Sequence, residues 1–249
     1  MNKKRKIQIY PSKKELIIAT TEKIIDTIEQ SIQKHGLCNI ALSGGNTPYD
    51  IYSLLAENSY RDSVDWSCVH LFWGDERMVS PDHPDSNYGM TRQTLLAHIA
   101  IPEDNVHRIR GEIAPEQASI EYTELLHDHF KKDSPHFDLI LLGIGEDGHT
   151  ASLFPGTDAV VENNQPVTAV FVPKFNTWRV TMTLPVLNAA REIIFLASGS
   201  SKSNIVQRIL SIEQPTKDIP ATLVNPENGM VHWMMDSDAA ALINKNAKA

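Results

Sequence analysis

Residues 137–155 read FDLILLGIGEDGHTASLFP, and this stretch decides the fold. Its first six residues form a short apolar run, which is typical of a strand buried on both faces. The remainder sets three glycines around an acidic pair and His149, which is typical of a loop. Open α/β sheets bind ligands at the carboxyl ends of their strands. The stretch therefore predicts a central parallel strand that presents His149 to a small-molecule cleft.

Strand and helix patterns alternate along the rest of the chain. The predicted strands cover residues 6–10, 37–42, 69–73, 106–109, 167–172, 179–184, 192–197 and 231–235. Helices are predicted over residues 12–35, 87–98 and 115–130, with further helical segments at 185–190, before Ile212 and after Asp238. This alternation favours a mainly parallel sheet flanked by helices, with right-handed crossovers, in a single α/β domain over residues 1–249.

Composition and charge narrow the class of protein. The formal net charge of -8 argues against a general nucleic-acid binder, which needs a basic surface. No apolar run reaches the length of a membrane span, and the basic start lacks the apolar core of a signal peptide. Cys38 and Cys68 fall in or beside apolar runs and are interpreted as buried reduced thiols, with a disulfide as the open alternative. We therefore expect a cytoplasmic protein.

Unusual polar residues follow four of the predicted strands, at 43–47, 75–77, 146–149 and 198–202. Because the carboxyl ends of parallel strands lie along one edge of a sheet, we expect these four segments to meet there. Their coincidence predicts one site more strongly than any single segment does.

The first of these segments has the features of an anion site. Thr47 is a suitable N-cap and Pro48 suits the first helical position, so the glycines lie between a strand and a helix amino terminus. Free backbone N–H groups and hydroxyls at that position favour phosphate, and a plain strand–helix turn is the alternative. The segment lacks the lysine of a P-loop and the spacing of a dinucleotide fingerprint. The candidate phosphate-binding residues are Ser43, Gly44, Gly45, Asn46 and Thr47.

Three candidate cations lie near the predicted strand ends. An arginine such as Arg77 can bind a phosphate or carboxylate in bidentate fashion, with Asp75 or Glu76 orienting it, although this segment judged alone favours a solvated charged turn. Arg179 and Lys202 are the other two, and ordinary surface positions are their alternative interpretation.

His149 is the best candidate for a general base, because a free imidazole has a pKa of about 6.5 and exchanges a proton near neutrality. Glycines at 143, 145 and 148 leave room for a ligand beside it. The histidines at 35, 98, 107, 127, 129 and 136 fit helix ends, helix faces and loops, and are interpreted as structural. Residues 82–85 favour a turn over a metal site, and no serine or cysteine lies in a nucleophile elbow.

These motifs together resemble the 6-phosphogluconolactonase family. The matching segments are residues 43–48 (SGGNTP), 75–77 (DER) with Ser86-Asn87, 143–155 (GIGEDGHTASLFP), 179–181 (RVT), 187–191 (LNAAR), and Gly199 with Lys202. Residues 172–178 depart from the Pro-rich version that is common in the family, since they contain only Pro173.

The resemblance implies a Rossmann-like fold, shared with glucosamine-6-phosphate deaminases and ribose-5-phosphate isomerases. It implies hydrolysis of 6-phospho-D-glucono-1,5-lactone to 6-phosphogluconate in the oxidative pentose phosphate pathway, with no metal or organic cofactor. By the same resemblance, His149 is the catalytic base and Arg77, Arg179 and Lys202 bind substrate. Our hypothesis adds Asp147 or Asp75 as the group that orients His149 or an arginine. The expected partner is a small sugar-phosphate lactone, and the expected assembly is a monomer or weak homo-oligomer.

Two rival functions stay open at this point. Deaminases and isomerases of amino-sugar phosphates share the Gly-x-Gly-x-Asp-Gly-His segment, but they usually carry Tyr at the position of Arg77 and Asn-Glu-Pro in place of residues 152–155. A non-catalytic sugar-phosphate sensor is the other rival. Such sensors normally add a DNA-binding module, and no basic helix-turn-helix segment is evident in this chain.

Overall fold

The strands divide between two sheets. The computed structural model describes residues 5–131 and 135–243. Within those residues the strands are β1 Arg5–Tyr10, β2 Cys38–Leu42, β3 Val69–Trp73, β4 Asp75–Arg77, β5 Val106–His107, β6 Leu139–Gly143, β7 Val167–Val172, β8 Thr177–Met182, β9 Glu192–Ala197 and β10 Met230–Asp236.

The helices fall mostly between consecutive strands. They are α1 Lys13–His35, α2 Asn46–Leu55, α3 Asn58–Arg61, α4 Asn87–Thr91, α5 Pro115–His129, α6 Leu184–Asn188 and α7 Ser203–Ser211. Helix α1 packs against β1, β10 and β2, and α5 packs against β7 and β8. No helix of the described residues has the length and apolar character needed to cross a membrane.

The large sheet has seven strands in the order β1-β10-β9-β6-β2-β3-β5, and every pairing is parallel. Strand β6 therefore lies at its centre. Residues 139–142 are fully buried, which is why this strand reads as a continuous apolar run and not as an alternating one. The predicted fold class, a mainly parallel α/β sheet with a few additional strands, is confirmed.

A small antiparallel sheet, β4-β8-β7, supplies the additional strands. Residues 75–77, which are predicted to follow a strand and not to form one, are strand β4, in which Asp75 lies opposite Thr181 and Arg77 lies opposite Arg179. Three charged residues carry no strand pattern of their own, and the partner strand is about a hundred residues away along the chain. The alternative of a solvated charged turn is wrong, because Asp75 and Glu76 are buried.

The ends of the first two helices differ in how well local signals predict them. Ser12 caps α1 by accepting from the backbone N–H of Lys14 and Glu15, and its hydroxyl also contacts the Glu15 carboxylate, as the capping-box spacing predicts. The predicted N-cap of the second helix is wrong. Helix α2 begins at Asn46 after Gly45, whose φ of 109° is accessible to glycine, so Thr47 and Pro48 lie inside its first turn.

Two further helix predictions need correction. The segment predicted as one helix over residues 87–98 is α4 followed by a π-helical turn, Arg92–Leu96. The Thr91 and Thr94 hydroxyls donate to carbonyls four residues earlier, an interaction that distorts helices. No helix follows Asp238 within the described residues, because 237–242 form turns anchored by the Asp236 carboxylate, which accepts from Ala239 N–H at 2.8 Å.

Both cysteines are free thiols. Cys38 is buried in β2, and burial raises the pKa of its thiol to about 12. The prediction of two buried thiols holds for Cys38 and is wrong for Cys68, which is only partly buried, and their reduced state in the cell stays a prediction.

Candidate active site

A pocket of about 450 Å³ opens at the carboxyl edge of the large sheet. It is lined by residues from the four segments that follow β2, β3, β6 and β9. Nine of the eleven predicted site residues line it, namely Ser43, Gly44, Gly45, Asn46, Thr47, Asp75, Arg77, His149 and Lys202. The two that do not line it are Asp147 and Arg179. Asp147 contacts the Nδ1 atom of His149.

His149 is held by a chain of charged contacts. Its Nδ1 lies 2.5 Å from Asp147 Oδ1, and Asp147 Oδ2 lies 2.8 Å from Lys174 Nζ. Because Nδ1 donates to the carboxylate, Nε2 keeps the lone pair and is the nitrogen that can accept a proton. Lys174 belongs to the segment 172–178 that departs from the family pattern, and sequence analysis did not identify it. A lone lysine in the turn between two strands gives no local sign of its partner.

The environment of the imidazole sets its charge. Burial lowers the pKa of His149 from its ordinary value, and the hydrogen bond and negative charge of Asp147 raise it in part. Burial alone raises the pKa of Asp147, but hydrogen bonds from Lys174 and His149 outweigh burial and lower it to about 2. At neutral pH the pair is therefore an ionised carboxylate beside an uncharged imidazole. The His149 ring also stacks on Phe154, with centroids 3.9 Å apart, which fixes its plane.

Gly145 allows the loop to close on this pair. A Cβ on Gly145 would lie 2.0 Å from His149 Nδ1 and 2.6 Å from Asp147 Oδ1. The loop is tied by the Gly145 N–H, which donates to the His149 carbonyl at 2.9 Å. The glycine is therefore required by the close approach of the His149–Asp147 pair, and a larger residue would displace that pair.

The glycine segment after β2 forms a second wall of the pocket. Gly44 lies against the Asn87 carboxamide, which a Cβ at position 44 would meet at 1.8 Å. Asn87 Nδ2 in turn donates to the Asp75 carbonyl at 2.8 Å, so this contact joins the segment to β4. The first turn of α2 faces the pocket with backbone N–H groups that have no intrahelical acceptor, which favours an anion. Among the described residues, the Ser43 hydroxyl is one of the few buried side-chain polar groups without a hydrogen-bond partner.

Asp75, Glu76 and Arg77 alternate along β4. Asp75 and Arg77 line the pocket, and Asp75 Oδ2 accepts from Ser152 Oγ at 2.6 Å. Glu76 points the other way. The predicted option in which Glu76 orients the Arg77 guanidinium is therefore wrong. Its carboxylate accepts from the Ser86 hydroxyl and from the backbone N–H of Arg77, Asn87 and Tyr88, so it fixes the start of α4.

Arg77 and Arg179 lie side by side in the small sheet. They are direct cross-strand partners, and the Nε atoms of both are buried without a hydrogen-bond partner among the described residues. Arg77 Nη1 donates to the Asp85 carbonyl at 2.6 Å, which orients its guanidinium. Burial and the charge of Arg77 lower the pKa of Arg179. Two like charges at this position favour an anion nearby.

Lys202 reaches the pocket from the segment after β9. Ser198 Oγ and the Gly199 N–H both donate to the Asp236 carboxylate, at 2.5 Å and 3.0 Å. These contacts fix the turn that carries Lys202, whose side chain is half-buried and has no ion-pair partner among the described residues. Sequence analysis missed Asp236, although an acidic residue that ends a predicted buried strand is a usable signal.

The fold and the pocket together define an α/β protein whose sheet edge carries a pocket lined by a histidine, two cations and the start of a helix. The chain belongs to the family described as glucosamine-6-phosphate isomerases/6-phosphogluconolactonase, whose family model matches residues 11–233.

Named relatives fall on the lactonase side of this family. The chain is 39% identical over 237 residues to a 6-phosphogluconolactonase of Synechocystis sp., covering 94% of this chain and 96% of the relative. The solved structure of 6-phosphogluconolactonase from Trypanosoma cruzi matches with a TM-score of 0.86 and 32% identity, covering 98% of each chain. A monomeric glucosamine-6-phosphate deaminase matches with a TM-score of 0.78 at 22% identity, covering 95% of this chain and 99% of that one, and this likeness shows the fold alone.

Proposed function

We propose that the protein hydrolyses 6-phospho-D-glucono-1,5-lactone to 6-phosphogluconate. The observation that carries the proposal is the His149–Asp147 pair, 2.5 Å apart, at the edge of a pocket that is also lined by Arg77 and Lys202. A general base beside two cations suits attack of water on the carbonyl of an anionic lactone. The relatives named 6-phosphogluconolactonase support the same substrate. The expected location is the cytoplasm.

In the proposed mechanism, Nε2 of His149 takes a proton from the water that attacks the lactone carbonyl. Asp147 holds the Nδ1–H tautomer and stabilises the imidazolium that forms. The carbonyl oxygen becomes an oxyanion and then re-forms a carbonyl as the ring C–O bond breaks. His149 returns its proton to the departing ring oxygen, which becomes the C5 hydroxyl of the product.

The two pocket cations are assigned different ends of the substrate. The negative charge of Asp75 raises the pKa of His149, so Asp75 lies near the imidazole. Arg77 lies two residues further along the same face of β4, and we therefore place Arg77 at the reacting carbonyl. Lys202 and the glycine segment at the start of α2 are left for the phosphate. A phosphate held away from the reacting carbon orients the lactone and lowers the entropic part of the barrier. Arg179, the cross-strand partner of Arg77, is assigned to positioning the Arg77 guanidinium.

His149→Asn tests the base. We expect kcat for the lactone to fall by about 10²–10⁴-fold after the uncatalysed rate is subtracted, because positioned proton transfer contributes that much. Exposed His98→Asn is the matched control and should keep the wild-type rate. Near-normal turnover by His149→Asn would refute the role. Ammonia release from glucosamine 6-phosphate, assayed on the same protein, tests the deaminase alternative.

Lys202→Met and Arg77→Met test the division between the cations. Hydrogen bonds to charged groups are worth about 1.5–3 kcal/mol, so Lys202→Met should raise KM roughly 10- to 100-fold for the phosphorylated lactone and leave kcat largely intact. It should have little effect on unphosphorylated gluconolactone. Arg77→Met should lower kcat for both lactones. Exposed Lys217→Met is the control, and the reverse pattern would exchange the two assignments.

A further inference from the structure

Three imidazoles converge outside the active site. They belong to His70 of β3, His107 of β5 and His129, the last residue of α5. Each offers one ring nitrogen, and the three nitrogens all lie within 4.8 Å of one another. His70 Nδ1 and His107 Nε2 are 3.1 Å apart. Sequence analysis interpreted His107 and His129 as structural and did not single out His70.

The parallel sheet brings these residues together from distant parts of the chain. Phe72 of β3 lies opposite His107 of β5, and His70 lies two residues before Phe72, on the same face. Helix α5 ends over this face and adds His129. Asp75 follows His70 by five residues, a span of about 16 Å along an extended chain, and none of the three histidines lines the active-site pocket. The cluster is therefore a separate site.

Neighbouring groups hold the rings in place. Phe72 stacks on His107 with centroids 4.4 Å apart, and Phe130 packs edge-on against His129 at 4.9 Å. Asn39 Oδ1 lies 2.8 Å from His129 Nε2 and orients that ring. The three imidazoles are each half-buried, so the cluster is supported from inside and open to solvent on one side.

The imidazoles are uncharged near neutrality. Burial, together with the neighbouring histidines, lowers the pKa of His107 and of His129 to about 4 each, and burial lowers the pKa of His70. Each ring therefore keeps a lone pair at pH 7, which is the form that binds a metal ion. Three imidazoles this close together cannot all be protonated without strong repulsion, whereas one cation can satisfy three lone pairs.

We propose that His70, His107 and His129 bind one divalent transition-metal ion of the zinc type, with a water molecule as the fourth ligand. Three imidazoles and an open position form a known zinc donor set. Two nitrogens bound to a tetrahedral zinc at about 2.0–2.1 Å lie about 3.4 Å apart, close to the His70–His107 separation. Nitrogen donors select zinc, copper, nickel or cobalt and reject magnesium and calcium.

The ion joins three elements that few other interactions connect. Strand β5 has two residues and lies at the edge of the large sheet, where it pairs only with β3 among the described strands. A metal bound by β3, β5 and α5 fastens the edge strand β5 to its neighbour β3 and to helix α5. Its role is structural, because it lies away from His149.

Calorimetric titration with Zn²⁺ tests the site. The metal-stripped protein would carry His149→Asn, so that the catalytic imidazole adds no zinc ligand. We expect one equivalent of Zn²⁺ to bind, Co²⁺ to give the visible absorption of a tetrahedral complex, and Mg²⁺ to give no heat.

His70→Gln and His107→Gln should each weaken zinc binding more than 100-fold, and Asn39→Ala about 10- to 100-fold, as expected for a group that orients a ligand. Thermal unfolding with zinc present should shift upward only in proteins that keep the three histidines.

The matched control is His127→Gln, an exposed histidine two residues from His129 on the same helix. It should bind zinc as the parent does. Two ligand variants on different strands guard against a folding defect in either one, and circular dichroism checks both. Absence of one-to-one binding by the parent would overturn the proposal. Equal affinity in the parent and in both ligand variants would also overturn it, since the zinc would then be held elsewhere.

Discussion

At the scale of single residues, the His149–Asp147–Lys174 chain determines the form of the base. Sequence patterns identified His149 and Asp147 because both lie in a glycine-rich loop after a buried strand. They did not identify Lys174, which reaches Asp147 from a turn 27 positions later in the chain. Contacts between distant loops depend on tertiary packing, and local composition carries no record of them. The catalytic roles themselves stay predictions.

The pH dependence of kcat/KM should report this chain. A general base works in its deprotonated form, so activity is full above the pKa of His149 and is lost as the pH falls through it. Burial lowers that pKa, so the acid limb should lie below pH 6.5, the ordinary value for histidine. Asp147→Asn removes a group that raises the pKa and should move the limb to lower pH, with a lower kcat. Lys174→Met removes a charge that lowers it and should move the limb to higher pH.

The control for this pair is Glu146→Gln, which alters an exposed carboxylate next to Asp147. Its acid limb should coincide with that of the wild type. If the Asp147 and Lys174 variants shifted in the same direction, or did not shift, the assignment of the limb to His149 would be wrong.

At the scale of elements, the strands of the large sheet were the most predictable part of the fold. Strands β3 and β9 have the predicted bounds, because a buried parallel strand is a continuous apolar run, and β7 of the small antiparallel sheet also has them. Strand β4 was missed, since its charged residues are explained only by its pairing with β8. Of the first two helix starts, one was predicted correctly and the other was not. The start of α1 at Ser12 follows a local capping rule. The start of α2 depends on the backbone conformation of Gly45, which cannot be inferred from Thr47 and Pro48.

Glu76→Gln should destabilise the junction between β4 and α4. The Glu76 carboxylate is buried and accepts four hydrogen bonds, and an amide would turn donors toward N–H groups that need an acceptor. A buried group left unsatisfied costs about 1–3 kcal/mol, so the free energy of unfolding should fall by that amount. Urea denaturation measures it, with exposed Glu124→Gln as a control that should change little. Equal stability of the two variants would show that Glu76 does not hold this junction.

At the scale of the whole molecule, the sequence predicted the α/β class, the family and the convergence of four segments on one sheet edge. The first two are confirmed by the topology of the sheet and by the family match. Single-domain organisation and the oligomeric state stay predictions. The pairing of Arg77 with Arg179 was beyond sequence reasoning, because it required the register of an antiparallel sheet formed around an unrecognised strand.

Arg179→Met should stabilise the ligand-free protein. Like charges directly opposite in a sheet are unfavourable by roughly 0.2–1 kcal/mol, and Met keeps most of the apolar stem. The free energy of unfolding in urea should therefore rise by up to about 1 kcal/mol. The additional stabilisation produced by 6-phosphogluconate should shrink in the same variant, because the ligand has less repulsion to relieve. Exposed Arg208→Met is the control, and a destabilised ligand-free Arg179→Met would contradict the argument.

The arginine pair also leads us to expect that the lifetime of the protein depends on the supply of its ligand. Asp75, Glu76 and Asp85 offset part of the repulsion between Arg77 and Arg179, and a bound anion would offset more of it, so sugar phosphate should favour folding as well as serve catalysis. A change of one or two kcal/mol in stability alters cellular abundance several-fold. When substrate and product are scarce, we expect the protein to unfold and to be degraded more often. When they are plentiful, more of it should survive, and the capacity to clear the lactone should then rise with its supply and without any change in gene expression.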